Sequence, residues 1–181
     1  MPVSEKTFEQ LALEDDDTRW ELVCGRLREK PPMTQEHNTA ASRLITALVR
    51  QLDDERFEVR SNAAHLSRPA STYLIPDVSV LPVELVATQH GTHELERYDV
   101  PLPFVAEIWS RSTGSYDVDT KFPEYMARGD EEIWRIHPYD RTLVAWRRQP
   151  DGSYSESHYA SGVVRVESLP GVSIRLEDLF R

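Results

Sequence analysis

A glutamate in the middle of an apolar run is the first chemical feature of the chain. Phe104, Val105, Ala106, Ile108 and Trp109 read as a strand buried on both faces, and Glu107 stands among them. Burying an unpaired ionised carboxylate costs on the order of several kcal/mol, so the group must be protonated, salt-bridged or bound to a cation. A second acid, Asp77, directly follows Pro76 inside another apolar run, Tyr73 to Leu81. Two carboxylates on two central strands can converge on one metal ion. On residue types alone, a buried salt-bridge or capping pair with Arg or Lys fits the same two acids equally well.

The metal alternative has a definite chemistry. Phosphodiester hydrolysis needs the phosphate charge neutralised, a water made nucleophilic and the leaving oxygen stabilised, and a carboxylate-held Mg²⁺ can serve all three. A nearby lysine adds a point charge that orients the attacking water or stabilises the transition state. Lys121 is the candidate, at the start of a helix whose N-terminus adds a partial positive potential.

Several elements must position these groups. Thr7 and Gln10 have capping-box spacing for a short first helix carrying Phe8, Leu11 and Leu13, which ends in the solvated acidic turn Glu14 to Asp17. Trp20 to Cys24 and Arg26 to Glu29 read as two strands joined at Gly25, a hairpin able to aim Glu21 at the centre. The clearest helix carries Ala40, Ala41, Leu44, Ile45, Leu48, Val49 and Leu52; capped near Thr34, it has His37 in its first turn, where a lone histidine is more often incidental. Phe57 to Leu66 and Tyr73 to Leu81 suggest a hairpin or meander leading into the core.

Pro82 to Pro103 is polar, a loop or short helix, and its His90 and His93 lack the further ligands of a metal site. After the Glu107 strand and a hydroxyl-rich turn over Ser110 to Gly114, Thr120 caps a helix that Gly129 closes. Pro123 is tolerated there only in the first turn. Glu132 to Ile136 returns as a strand, so the crossover makes this pair parallel. Hairpins follow from Thr142, around Pro150-Asp-Gly-Ser, with short strands and a terminal segment Leu176 to Phe180. Those hairpins offer a surface for a homodimer.

The size, with 39% hydrophobic residues, suits one domain over residues 1–181. The class is α/β: a mixed β-sheet flanked by helices, with extra hairpins at the C-terminal end. A net charge of −10 argues against a surface that wraps nucleic acid everywhere, though it allows a local basic groove. Arg111, Lys121 and Arg128 are the candidates for phosphate contact; Arg147 and Arg148 read equally well as a solvated strand face. Cys24 is the only cysteine, and no apolar run approaches the roughly 20 residues that span a bilayer. With no signal peptide at the start, a cytoplasmic protein is expected.

At these positions the chain resembles the Uma2 family of putative restriction endonucleases, a branch of the PD-(D/E)xK nuclease superfamily. The likeness runs through Phe8-Glu-Gln-Leu, Trp20-Glu-Leu-Val-Cys-Gly-Arg-Leu, Glu36-His37 and Ile75-Pro-Asp-Val. It continues through Val105-Ala-Glu-Ile-Trp-Ser-Arg-Ser-Thr, Asp119-Thr-Lys, Tyr125, Gly129, Glu132-Ile-Trp, Leu169-Pro-Gly and Leu179-Phe. The resemblance implies a restriction-endonuclease-like fold and a DNA endonuclease using Mg²⁺, with Mn²⁺ as substitute. Asp77 and Glu107 match the motif's acids, Glu21 a further metal or water ligand, and His37 a histidine near the site. The superfamily's usual lysine position, two after Glu107, is Trp109 here, and the lysine of this branch matches Lys121 on the following helix. Arg111 stands where relatives carry Pro. With the acidic net charge, that departure keeps a second reading open: a nuclease fold retained for binding without turnover.

Overall fold

The computed structural model describes residues 2–15, 17–69, 71–112 and 114–181. Asp16 of the acidic turn and Thr113 of the hydroxyl-rich turn lie outside them. Helix α1 (Glu5–Glu14) is capped by Ser4, whose hydroxyl accepts from the Thr7 N–H, so the cap lies three residues before the predicted one. Strands β1 (Trp20–Val23) and β2 (Arg26–Glu29) form the expected hairpin. Its turn residues Cys24 and Gly25 have φ of 47° and 76°, the left-handed pair that matches strand twist. Gly25 is required twice over, because a Cβ there would lie 2.6 Å from the Pro2 Cβ.

Helix α2 (Gln35–Val49) begins at Thr34, whose hydroxyl accepts from the His37 N–H. The next four strands nest. β3 (Phe57–Ser61) pairs with β6 (Val78–Pro82), and β4 (His65–Arg68) pairs with β5 (Thr72–Leu74) inside them. The outer pair joins a six-stranded sheet and the inner pair a five-stranded one, so the chain crosses between sheets at residues 62–64 and 75–77. Asp77 lies at the second crossing, just before β6.

Within the polar stretch, α3 (Val83–Ala87) and β7 (Arg97–Tyr98) form, the latter parallel to β4. β8 (Phe104–Ile108) is buried along its whole length. Its alternating side chains enter different cores: Phe104, Ala106 and Ile108 pack with α2, and Val105 packs with the helix that follows. That helix departs from expectation. It starts at Gly114 as the short α4 (Gly114–Tyr116), widens into a π-helical turn over Asp117–Lys121, and continues as α5 (Phe122–Arg128). Thr120 therefore lies inside the helical run. The Phe122 N–H reaches back to the Asp117 carbonyl, and Pro123, the second residue of α5, has no N–H to offer a regular turn. Gly129, at φ 85°, ends the run.

β9 (Glu132–His137) pairs parallel to β8, as a crossover demands. β10 (Thr142–Arg148) and β11 (Tyr154–Tyr159) extend the sheet to the order β11-β10-β9-β8-β6-β3; the other large sheet runs β2-β1-β5-β4-β7. A separate pair, β12 (Val163–Arg165) and β13 (Ser173–Arg175), leads to α6 (Leu176–Leu179), which packs on α2. The fold is thus mixed sheets flanked by helices, with two large sheets where one was expected. Among the described residues no helix is long and apolar enough to cross a membrane.

Candidate metal and nuclease site

The widened turn before α5 buries Lys121, and two strands and a crossing between sheets bring acids to it. Glu21 on β1, Asp77 before β6, Glu107 on β8 and Lys121 are each 1–2% exposed. The Lys121 ammonium lies 2.8 Å from Glu21 Oε1 and 3.0 Å from Glu107 Oε1, and donates at 3.0 Å to the Ile75 carbonyl. One side chain thus ties the hairpin, the central strand and the sheet crossing together.

Each acid has further partners. Glu21 accepts from the Ile75 N–H at 2.7 Å and from the Tyr116 hydroxyl at 3.1 Å. Glu107 Oε1 accepts from the Tyr125 hydroxyl at 2.6 Å. Asp77 Oδ2 accepts from the Ile108 N–H at 2.8 Å and faces His37 Nε2 at 2.9 Å, while Oδ1 lies 2.8 Å from Lys30 Nζ. Lys30 also donates to the Ile75 carbonyl. His37, only 1% exposed, is therefore a core partner of Asp77, placed there by the Thr34 cap.

These neighbours separate the acids electrostatically. Burial opposes ionisation of Asp77, but Lys30 beside it and the bond from His37 hold its carboxyl well below the usual range. Burial likewise opposes the Glu21 charge, and Lys121 and Lys30 bring its pKa below the ordinary value. Glu107 goes the other way: burial, with Asp77 nearby, outweighs Lys121 and pushes it up to about 8. Lys121 is buried too, yet Glu107 and Glu21 raise its pKa well above the ordinary lysine value.

The donor chemistry suits a hard cation, since three buried carboxylates supply oxygen ligands. Among the described residues, Lys121 and Tyr125 both donate to Glu107 Oε1, and Asp77 Oδ1, though paired with Lys30, receives no well-aligned hydrogen bond. In the arrangement seen, the two lysines stand among the acids, and the described residues contain no group of three or more His, Cys, Asp or Glu side chains gathered to hold a metal. A cation entering here must displace ammonium nitrogens. The cleft that Glu21, Asp77, Glu107 and Lys121 line is narrow, with Tyr116 and Asp117 at its side.

The remaining predicted residues fall elsewhere. Arg111 is exposed in the turn after β8. Arg128 is not at the surface: its side chain is 2% exposed, paired with Asp130 at 3.1 Å and donating to the carbonyls of Ser67, Tyr98 and Val100. It ties the end of α5 to β4 and β7 of the five-stranded sheet. Arg147 is similarly committed, 3.0 Å from the buried Glu132. Trp109, at the superfamily's lysine position, stacks on His137 with ring centroids 4.2 Å apart. Sequence reasoning missed Lys30, Tyr116 and Asp117 altogether, and it gave Tyr125 no role.

The family model described as "Putative restriction endonuclease", Uma2, matches residues 6–177. The chain belongs to the Uma2 family. A crystal structure of a putative nuclease belonging to DUF820, from Anabaena variabilis ATCC 29413, superposes with a TM-score of 0.79 at 17% identity, covering 99% of this chain and 98% of that one. At that identity the likeness is one of fold. No curated protein matches the chain. The Uma2 match takes in every residue of the buried cluster, from Glu21 to Tyr125.

Proposed function

We propose that the protein is a metal-dependent DNA endonuclease whose one domain carries Glu21, Asp77 and Glu107 as cation ligands and Lys121 as the catalytic ammonium. The observation that supports this most is the single Lys121 nitrogen between Glu21 and Glu107, 2.8 and 3.0 Å away, with Asp77 beside them. A divalent ion, Mg²⁺ or Mn²⁺, would supply a Lewis acid and an activated water when bound. Lys121 then faces the phosphate, where its charge is worth most because the site is dry. His37 and the Ile108 N–H fix the orientation of Asp77 through its Oδ2. Tyr125 and Tyr116 do the same for Glu107 and Glu21. The exposed Arg111, at the end of the Glu107 strand, contacts the DNA backbone.

The decisive experiment incubates plasmid with the protein and Mg²⁺ or Mn²⁺. Nicking by the native chain and none by Asp77→Ala is expected; nicking that survives the substitution rejects the assignment. DNA affinity should fall steeply with salt, and a flat response removes the DNA substrate. A reducing, cytoplasmic location and pairing of two copies through the β10–β11 hairpin belong to the same reading.

A second reading has its own observation. Every acid of the cluster already has a lysine nitrogen within 3.0 Å, and the net charge is −10. A nuclease fold that binds without turnover satisfies both. Calorimetry with Mg²⁺ or Mn²⁺ separates the two, because a chain with no metal affinity cannot hydrolyse by the first route.

A further inference from the structure

Strand β2 is an edge of the five-stranded sheet, and its basic residues alternate along it. Arg26 and Arg28 stand on the same face as Glu21, because the hairpin register sets Glu21 opposite Arg28 and Val23 opposite Arg26. The Lys30 N–H donates to the Arg19 carbonyl at 2.8 Å, so the pairing runs one residue past β2 and keeps Lys30 on that face too. The three cations grade from core to solvent. Lys30, its side chain 6% exposed, is inside the acidic cleft beside Asp77; Arg28 is half-buried on the cleft lining; Arg26 is exposed.

Arg28 is built into its position. Its guanidinium carbon lies 3.5 Å from the centroid of the Tyr116 ring, and the Tyr116 hydroxyl donates to Glu21 at 3.1 Å, so the ring is a fixed platform. The same centroid is 5.7 Å from Lys121 Nζ. Charges that only guard an open strand edge need nothing but water around them. Arg28 instead packs on an aromatic in the wall of the cleft, and among the described residues neither it nor Arg26 has a carboxylate partner. Glu21, directly across the ladder, is taken by Lys121 and Tyr116. The planar fork of each arginine thus keeps its N–H donors for an outside anion, and a phosphate is an anion that it grips through two oxygens at once.

We propose that Arg28 and Arg26 bind successive phosphates of the DNA strand whose scissile phosphate lies at the acidic cluster, so that β2 leads the backbone out of the cleft. The inference rests on the nuclease reading above and names how that site takes hold of its substrate. Alternate residues of a strand lie roughly 6.5–7 Å apart, which matches the step from one phosphate to the next along a single nucleic-acid strand. These contacts touch no base, so the grip is independent of sequence. A chain of net charge −10 then holds a polyanion by concentrating cations where the backbone must pass.

The test measures binding of a labelled duplex oligonucleotide to the full chain by fluorescence anisotropy, without divalent metal and over a series of salt concentrations. Arg28→Met keeps an apolar stem over Tyr116 and loses the charge. It should weaken binding several-fold and lower the slope of log affinity against log salt by about one, as should Arg26→Met, and the double variant by about two. Arg28→Lys should keep the slope and lose part of the affinity, because an ammonium has no fork. Arg50→Met, exposed at the far end of α2, should leave the slope as it is; an equal fall there means that bulk charge is being read and overturns the proposal. An unchanged slope in Arg28→Met, in a chain that still nicks plasmid, overturns the track and leaves the nuclease reading standing. A slope lowered by one, in a chain that nicks nothing, upholds the track and removes the catalysis. A native chain that binds no duplex at all ends both.

Discussion

Lys121 and Glu107 meet at 3.0 Å although the lysine lies 14 residues further along, on a helical run reached by a turn. The contact joins a strand buried on both faces to the only π-helical turn among the described residues. The same ammonium pairs with the ionised Glu21 at 2.8 Å, and removing it exposes that buried carboxylate to the full desolvation penalty.

Lys121→Met therefore affects folding and chemistry together. Losing the ammonium leaves Glu21 and Glu107 without their shared cation, at a cost of about 3–5 kcal/mol in urea unfolding. The nicking rate should drop by roughly 10²–10³, the usual effect of deleting one charge-stabilising group. A variant of native stability would mean that the two acids are not held by this lysine.

Asp77→Asn keeps the shape and the acceptor for the Ile108 N–H but removes the charge facing Lys30 and His37. The heat of Mg²⁺ binding should vanish, with stability falling by about 1–3 kcal/mol. Unchanged metal binding would remove Asp77 from the ligand set.

Stability should vary with pH through Glu107. Its carboxyl is raised from an ordinary 4.5 to about 8 in the fold, chiefly by burial. The folded state therefore holds a proton that the unfolded chain has given up. That contribution is complete below pH 4.5 and lost as pH rises through 8, so the melting temperature should fall across this interval. Asp77 and Glu21, with lowered pKa values, act at the acid end, where stability is lost as they protonate. In Glu107→Gln the decline between neutral and mildly alkaline pH should flatten, as thermal melts over a pH series would show.

Pro123→Ala tests the widened turn. An N–H at position 123 can bond back in the regular α pattern, which draws the turn before α5 toward ordinary helix and rotates Lys121. Nicking should fall by about tenfold or more while melting stays within a few degrees, since a displacement of roughly 1 Å at a catalytic group is enough for such a loss. Equal activity in both chains would show that the proline does not set the lysine's position.

Much of this arrangement was legible in the residues, and the limits are instructive. An acid inside an apolar run announces itself, so Glu107 and Asp77 could be found from burial cost alone. The β1–β2 hairpin, α2 with its Thr34 cap and the parallel β8–β9 pair followed from local chemistry. The π turn did not, because an i→i−5 bond has no compositional signature and Asp119-Thr120 looks like a cap wherever it occurs. Lys30 was hidden for a different reason. It follows Arg26, Leu27, Arg28 and Glu29, three of them exposed, and reads as one more solvated charge until β5 and β6 bring Asp77 across to it. Arg128 misled because its partners are main-chain carbonyls of Ser67, Tyr98 and Val100, atoms every residue carries.

The nested strands have a kinetic corollary. Hairpins such as β1–β2 and β10–β11 close short loops and can form early, whereas the carboxylates gather only after the outer and inner pairs have each joined their own sheet. The charged centre is then expected to form late in assembly. If the acids hold a cation as proposed, a refolding chain should regain metal binding only after its far-ultraviolet dichroism has returned.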